Sequence, residues 1–277
     1  MIRRHALPAL ALILAVVGCR FPGPEAGPTT LPVDTAVTLP SATPEPSGGI
    51  TPASPPAIPE EAILILEPGS GSRLVSAIHI AGFANPTFEQ NLGVRVVLDD
   101  GTVIAHTSTL IQSELGTRGP FAADVPFTIS GERNAFIQVF DASARDGGIT
   151  HLNSVGVILA ESGAVTITPG SPHPEDIYIT SPAPGMNISG GSVHVEGIGI
   201  ASFEQTLVIS VLNQEGTTIA SLPVIVHAPD YGLPGTFAID LPYVVAAEQA
   251  GRIVVSDPSV VFSGDVHVSS VEVTLVP

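Results

Sequence analysis

The chain has 277 residues, 44% of them hydrophobic but only 5% aromatic, with 28 Gly, 27 Pro, no Trp and a single Cys. Its only basic residues are nine arginines, and against 26 acidic side chains they leave a formal charge of -17. That balance excludes a nucleic-acid binder, which needs clustered cations to displace counterions from phosphate, and one cysteine excludes an internal disulfide framework.

Arg3 and Arg4 precede an apolar run from Ala6 to Val17. The run is too short to span a bilayer and has the shape of a signal-peptide core. It ends in Val16-Val17-Gly18-Cys19, which resembles the lipobox of bacterial lipoproteins. The resemblance implies cleavage after residue 18, with residues 1–18 as the signal peptide, and lipid attached to Cys19. A multiply acylated cysteine holds a protein stably, where one chain holds it only marginally. The expected location is extracytoplasmic, anchored by lipid to a bacterial membrane or cell surface.

Residues 19–60 change to Pro, Thr, Ser, Ala and Gly, with eleven prolines after Arg20. Such a stretch cannot bury enough apolar surface to offset its ordering entropy. Extended at about 3.1 Å per residue it reaches on the order of 100 Å. It reads as a disordered tether.

After the tether come short runs rich in Val and Ile, broken by Gly, Pro, Asn and Asp. They are Ile63 to Leu66, Leu74 to Ala81, Leu92 to Leu98, Thr102 to Thr109, Phe121 to Ile129, Ala135 to Phe140 and His151 to Leu159. Seven such runs read as an antiparallel β-sandwich of the immunoglobulin kind. The pattern then recurs about 115 residues on, a period that marks a second copy of one folding unit. Phe88-Glu89-Gln90 returns as Phe203-Glu204-Gln205, and Phe121 to Phe127 returns as Phe237 to Tyr243. Asp100-Gly101 and Glu215-Gly216 fall between runs in both halves, where a hairpin uses Gly for its positive φ. The expected organisation is all-β: a first immunoglobulin-like domain over 61–160, a Pro-rich linker over 161–175 and a second domain over 176–277. Phe88, Phe203, Phe121, Phe237, Phe127 and Tyr243 are the expected aromatic core anchors.

Both halves resemble the immunoglobulin-like domain of bacterial spore-germination lipoproteins, the Gmad type. The residues that carry the resemblance are Pro68 and Pro182, Gly82 and Gly197, Phe88-Glu89 and Phe203-Glu204, Gly101 and Gly216, and Phe121 and Phe237. The resemblance implies a binding or structural module and supplies no catalytic residues.

Several residues invite a chemical reading. Glu89 and Glu204 repeat, but acid–base work needs two carboxylates facing one substrate, and these belong to separate domains. Asp99 with Asp100, and Asp141 with Asp146, could offer calcium its oxygens, yet turn chemistry accounts for them. His79 pairs in alignment with His194, and His151 with His267. Each half offers two histidines without a close metal-binding spacing, so all four read as exposed strand positions, and neither a metal nor a cofactor is expected. The loops Ile111–Pro120 and Ala228–Gly235, the second carrying Tyr231, are the expected binding surfaces. The function that follows is non-enzymatic. Tandem immunoglobulin-like domains bind an envelope protein or act as a spacer, the alternative being a glycan or cell-wall binding module.

Overall fold

β-Branched residues alternating with small or polar ones favour a pleated, half-buried surface, and the Val- and Ile-rich runs form strands throughout. The computed structural model describes residues 57–277, so the expected signal peptide, Cys19 and most of the expected tether lie outside the described residues. The first eight strands are β1 (Ile63–Glu67), β2 (Arg73–Leu74), β3 (Ile78–Ala84), β4 (Asn91–Leu98), β5 (Val103–Leu110), β6 (Gly119–Val125), β7 (Glu132–Ala142) and β8 (Ile149–Ala160). The next eight are β9 (Ile177–Ser181), β10 (Asn187–Ile188), β11 (Ser192–Gly199), β12 (Thr206–Leu212), β13 (Thr218–Ile225), β14 (Gly235–Pro242), β15 (Gln249–Pro258) and β16 (Asp265–Leu275).

The connectivity of the first eight recurs in the second eight. Sheet β1-β3-β6 faces strands β5-β4-β7-β8 across one core, and sheet β9-β11-β14 faces β13-β12-β15-β16 across another. The two are immunoglobulin-like sandwiches. In each core one aromatic ring sits over a glycine: Phe121 over Gly82 and Phe237 over Gly197. A Cβ at either glycine would collide with that ring and with the backbone carbonyl of the neighbouring strand, Leu64 in one case and Tyr178 in the other. Phe121, Phe237, Phe127 and Tyr243 are buried as expected.

The expected second run, Leu74 to Ala81, is two strands. β2 pairs in parallel with β8, whereas β3 pairs with β1 and β6 in the opposite sheet. The chain changes sheets between Leu74 and Ile78, and a mostly apolar run with no Gly or Pro conceals that crossing. β10 and β11 repeat the device, with β10 parallel to β16.

The two larger sheets meet edge to edge. Leu152 on β8 faces Val268 on β16, so one sheet of ten strands runs through both sandwiches. Ser154 Oγ donates to the Val266 carbonyl at 2.6 Å, and Ser270 Oγ donates to the Thr150 carbonyl at 2.7 Å. These two bonds are the same interaction made in opposite directions. The arrangement is that of an isologous dimer interface built within one chain. The segments before β1 and β9 obey the same rule. Glu61 N–H donates to the His173 carbonyl and Glu175 N–H to the Pro59 carbonyl, with Glu60 bridging Pro174. Residues Pro59 and Glu60, at the end of the expected tether, are thus part of the folded seam. The Pro-rich linker lies along the first sandwich, through Thr166 with Arg73 and Gly170 with Leu66.

Candidate functional site

The repeated Phe-Glu-Gln motif is a turn. Phe88–Gln90 forms a single 3-10 turn leading into β4, and Glu89, Gln90, Glu204 and Gln205 all have φ between 48° and 57°. Phe88 and Phe203 are 61% and 49% exposed, which corrects their assignment as core anchors. The left-handed backbone turns the Phe outward and sends Gln90 inward instead. Gln90 Nε2 donates to Ser113 Oγ at 2.8 Å and to the Glu114 carbonyl at 3.1 Å, pinning the loop before β6. Glu89 and Glu204 are exposed. Gly101 and Gly216 occupy the hairpin turns with φ of 85° and 76°, as their positions between runs imply. Tyr231 is 77% exposed, with Leu233 beside it.

The acidic pairs that could have served calcium are each bound to protein partners. Asp99 and Asp100 both accept from Arg133, Asp146 accepts from Arg145 and Arg252, and Asp141 accepts from Thr150 Oγ1. His79 and His194 are exposed as expected and make equivalent bonds, to Asp124 at 2.8 Å and Asp240 at 2.7 Å.

His151 and His267 depart from that reading. Both are withdrawn from solvent, and their rings meet edge to face with centroids 5.2 Å apart. The cause is the seam: each histidine sits next to the central Leu152–Val268 pair, on the strand that joins its sandwich to the other. Equivalent residues close to a local two-fold necessarily meet. The same seam brings in Glu61 and Glu175, each two residues before the first strand of its sandwich.

The four side chains form one cluster. Glu61 is wholly buried. Its Oε1 lies 2.8 Å from His151 Nε2 and its Oε2 lies 3.1 Å from His267 Nε2. Glu175 Oε1 lies 3.5 Å from His151 Nε2 and 3.9 Å from His267 Nε2. Backbone donors cross the seam reciprocally: Ala62 N–H donates to Glu175 Oε2 at 2.8 Å, and Asp176 N–H to Glu61 Oε2 at 3.3 Å. Glu175 Oε1 and His267 Nδ1 are buried without a hydrogen-bond partner.

The electrostatics of the two carboxylates diverge. Burial pushes the Glu61 carboxyl up, but its bonds to His151 and His267 outweigh that and hold it far below the usual carboxylate range. Burial raises Glu175, and the Glu61 charge adds to it against the opposing pull of the two imidazoles. Burial alone would lower His267, yet the Glu61 bond and the surrounding carboxylates leave it raised. Ligand atoms from Glu61, His151, Glu175 and His267 all lie within 4.8 Å of one another. Sequence spacing could not reveal this group, because its members are paired between sandwiches. The available signal was that a Glu and a His each recur at equivalent places.

Residues 62–148 match the family described as the immunoglobulin-like domain of bacterial spore germination. The match covers the first sandwich up to the β7–β8 hairpin. No curated protein matches the chain. Among solved structures, dimeric latent PorU from Porphyromonas gingivalis is 11% identical with a TM-score of 0.25, over 79% of this chain and 24% of that one. Bovine butyrophilin is 11% identical with a TM-score of 0.21, over 77% and 98%. CfaE, the adhesive subunit of CFA/I fimbria of enterotoxigenic Escherichia coli, is also 11% identical with a TM-score of 0.21, over 78% and 83%. The chain spans about a quarter of the PorU chain.

Proposed function

We propose that the chain is a non-enzymatic envelope lipoprotein whose two immunoglobulin-like sandwiches, copies of the same domain, work as one rigid unit that spaces or docks a partner protein. The observation that carries this reading is the continuous ten-stranded sheet across the seam. Two domains on a free linker reorient by default; a shared sheet removes that freedom and fixes the distance between their outer loops. The first sandwich matches a family described by spore germination, and immunoglobulin-like modules present loops on a stable scaffold. The lipobox ending at Cys19 and the Pro-rich residues 19–60 support attachment to lipid and projection from it. Tyr231 and Leu233 form an exposed apolar tip of the second sandwich and serve as the docking contact.

The test is mild cross-linking on intact cells that express the native protein, followed by mass spectrometry, in parallel with a Cys19→Ser variant. The expected result is release of the variant from the membrane fraction and a reproducible envelope partner linked near Tyr231. Unchanged membrane retention overturns the anchor. Links to polysaccharide in place of protein overturn the docking reading in favour of a glycan module.

A further inference from the structure

We propose that Glu61, His151, Glu175 and His267 form a closed binding site for one divalent transition-metal ion of the zinc class, held across the seam between the two sandwiches.

Geometry comes first. Both imidazoles aim Nε2 at the carboxylates, and the four nitrogen–oxygen separations are 2.8, 3.1, 3.5 and 3.9 Å. Zinc bonds of about 2.0–2.2 Å in a tetrahedron put neighbouring ligand atoms about 3.3–3.6 Å apart. The shorter Glu175 separation matches that value and the longer exceeds it, while Glu61 presents a different oxygen to each imidazole, so an ion would draw Glu175 in and take one Glu61 oxygen. Two imidazoles and two carboxylates are a donor set that suits zinc.

The second observation is Glu175. Ala62 N–H holds its Oε2, which leaves Oε1 buried, unpartnered and directed at both imidazoles. An unpaired carboxylate oxygen in such a place is costly unless something cationic meets it. Its neighbours worsen the imbalance. Asp176 follows it in sequence, Asp141 lies opposite His151 on β7, and Asp257 lies opposite His267 on β15. A dication between Glu61 and Glu175 converts their mutual repulsion into attraction and satisfies Oε1 at once.

The site is structural in type. Four protein ligands close the coordination sphere and leave no position for substrate. Each sandwich supplies one Glu and one His, so binding clamps one to the other. A surface cavity of about 180 Å³, lined in part by Ala62, Asp141, Thr150 and His151, borders the cluster on its His151 side.

The test uses the full chain, purified without an affinity tag in mild detergent, stripped with chelator and titrated calorimetrically with Zn²⁺. In a second arm Co²⁺ is added and its visible absorption recorded, since tetrahedral Co²⁺ absorbs far more strongly than octahedral Co²⁺. The expected result is about one equivalent of Zn²⁺ per chain, intense Co²⁺ bands and a rise in melting temperature of about 5 °C or more. Glu175→Gln and His267→Asn should each weaken binding by about 100-fold or more, whereas His79→Asn and His194→Asn should leave it unchanged. Weak, octahedral Co²⁺ bands in the native chain, which need no variant to fold, overturn the proposal. So does binding that disappears with His79 and His194 and survives the loss of His267.

Discussion

Arg252 and Phe136 hold the same place in the two sandwiches, and each is covered by the hairpin tip of the other. Phe136 faces Gly156 across β7–β8, and Arg252 faces Glu272 across β15–β16. Phe262 reaches across to Phe136 with ring centroids 5.0 Å apart. On the opposite side Asp146 lies 3.1 Å from the fully buried Arg252, which also bonds Glu272 at 2.7 Å. One topological contact is thus made once with aromatic rings and once with ions.

That exchange predicts a non-additive pair of substitutions. Arg252→Phe alone leaves Asp146 buried with only Arg145 and the Gly148 N–H to meet its charge, and should cost about 3 kcal/mol, in the range for breaking a buried pair. Adding Asp146→Phe copies the chemistry of Phe136 and Phe262 and should recover at least about 1 kcal/mol of that loss. Urea unfolding of both single variants and the double variant measures the coupling. Strict additivity would refute the equivalence.

The glycines beneath the core rings are more exacting. Gly82→Ala and Gly197→Ala each force a methyl into a strand carbonyl and a phenylalanine ring. Neither obstacle is the free end of a flexible side chain, so each should cost more than about 3 kcal/mol. Thermal melts should show both variants strongly destabilised. Gly116→Ala is the comparison. A Cβ there meets nothing, and its cost comes only from a φ of 80°, about 1–2 kcal/mol.

How far such features could be read in advance depended on whether their cause was local. Phe121 and Phe237 were legible because strand alternation assigns a face to each residue, whereas Phe127 and Tyr243 lie just past the ends of β6 and β14 and were legible only as matching aromatics of the repeat. Phe88 and Phe203 were misjudged because their repetition records a left-handed turn at the two following residues, and a repeated aromatic looks the same whichever constraint preserves it. His151 and His267 were misjudged for another reason. Period-2 reasoning places a side chain relative to its own sheet, and their burial comes from a second sheet docking at the strand edge.

The Phe-Glu-Gln turn gives a prediction of opposite signs at adjacent residues. Glu89 has a φ of 55° and is exposed, so Glu89→Gly removes a penalty of about 1–2 kcal/mol and adds back about 0.5–1 in chain entropy. It should be neutral or stabilising by up to about 1.5 kcal/mol. Gln90→Ala removes the bonds to Ser113 and Glu114 and should destabilise by about 1–2 kcal/mol. Chemical denaturation of the two variants checks the contrast.

His194 provides the pH dependence. Its bond to Asp240, with the charges of Asp240 and Glu196, raises its pKa above the ordinary 6.5. A group raised on folding contributes its full stabilisation below the unfolded value and loses it as pH rises through the folded one. The window therefore lies above 6.5, and the side chain is exposed enough for solvent to keep the stability effect small. NMR titration of the imidazole should place His194 above a denatured-state reference. Asp240→Asn should bring it down toward that reference; an unmoved titration would show that the Asp240 bond does not set it.

The seam itself has a test that spares both cores. Leu152 and Val268 are buried yet belong to neither core cluster, so their burial comes from the meeting of β8 and β16. Few backbone bonds join those strands, and the Ser154 and Ser270 hydroxyls supply two of the cross-links. Losing either hydroxyl should cost about 1 kcal/mol. Leu152→Asp puts a carboxylate against the partner strand and should cost several kcal/mol at the seam, leaving each sandwich with its own packed core. Calorimetry should accordingly show one unfolding transition in the native chain and two in Leu152→Asp. A single transition in both would mean that the sandwiches are coupled by something other than this edge.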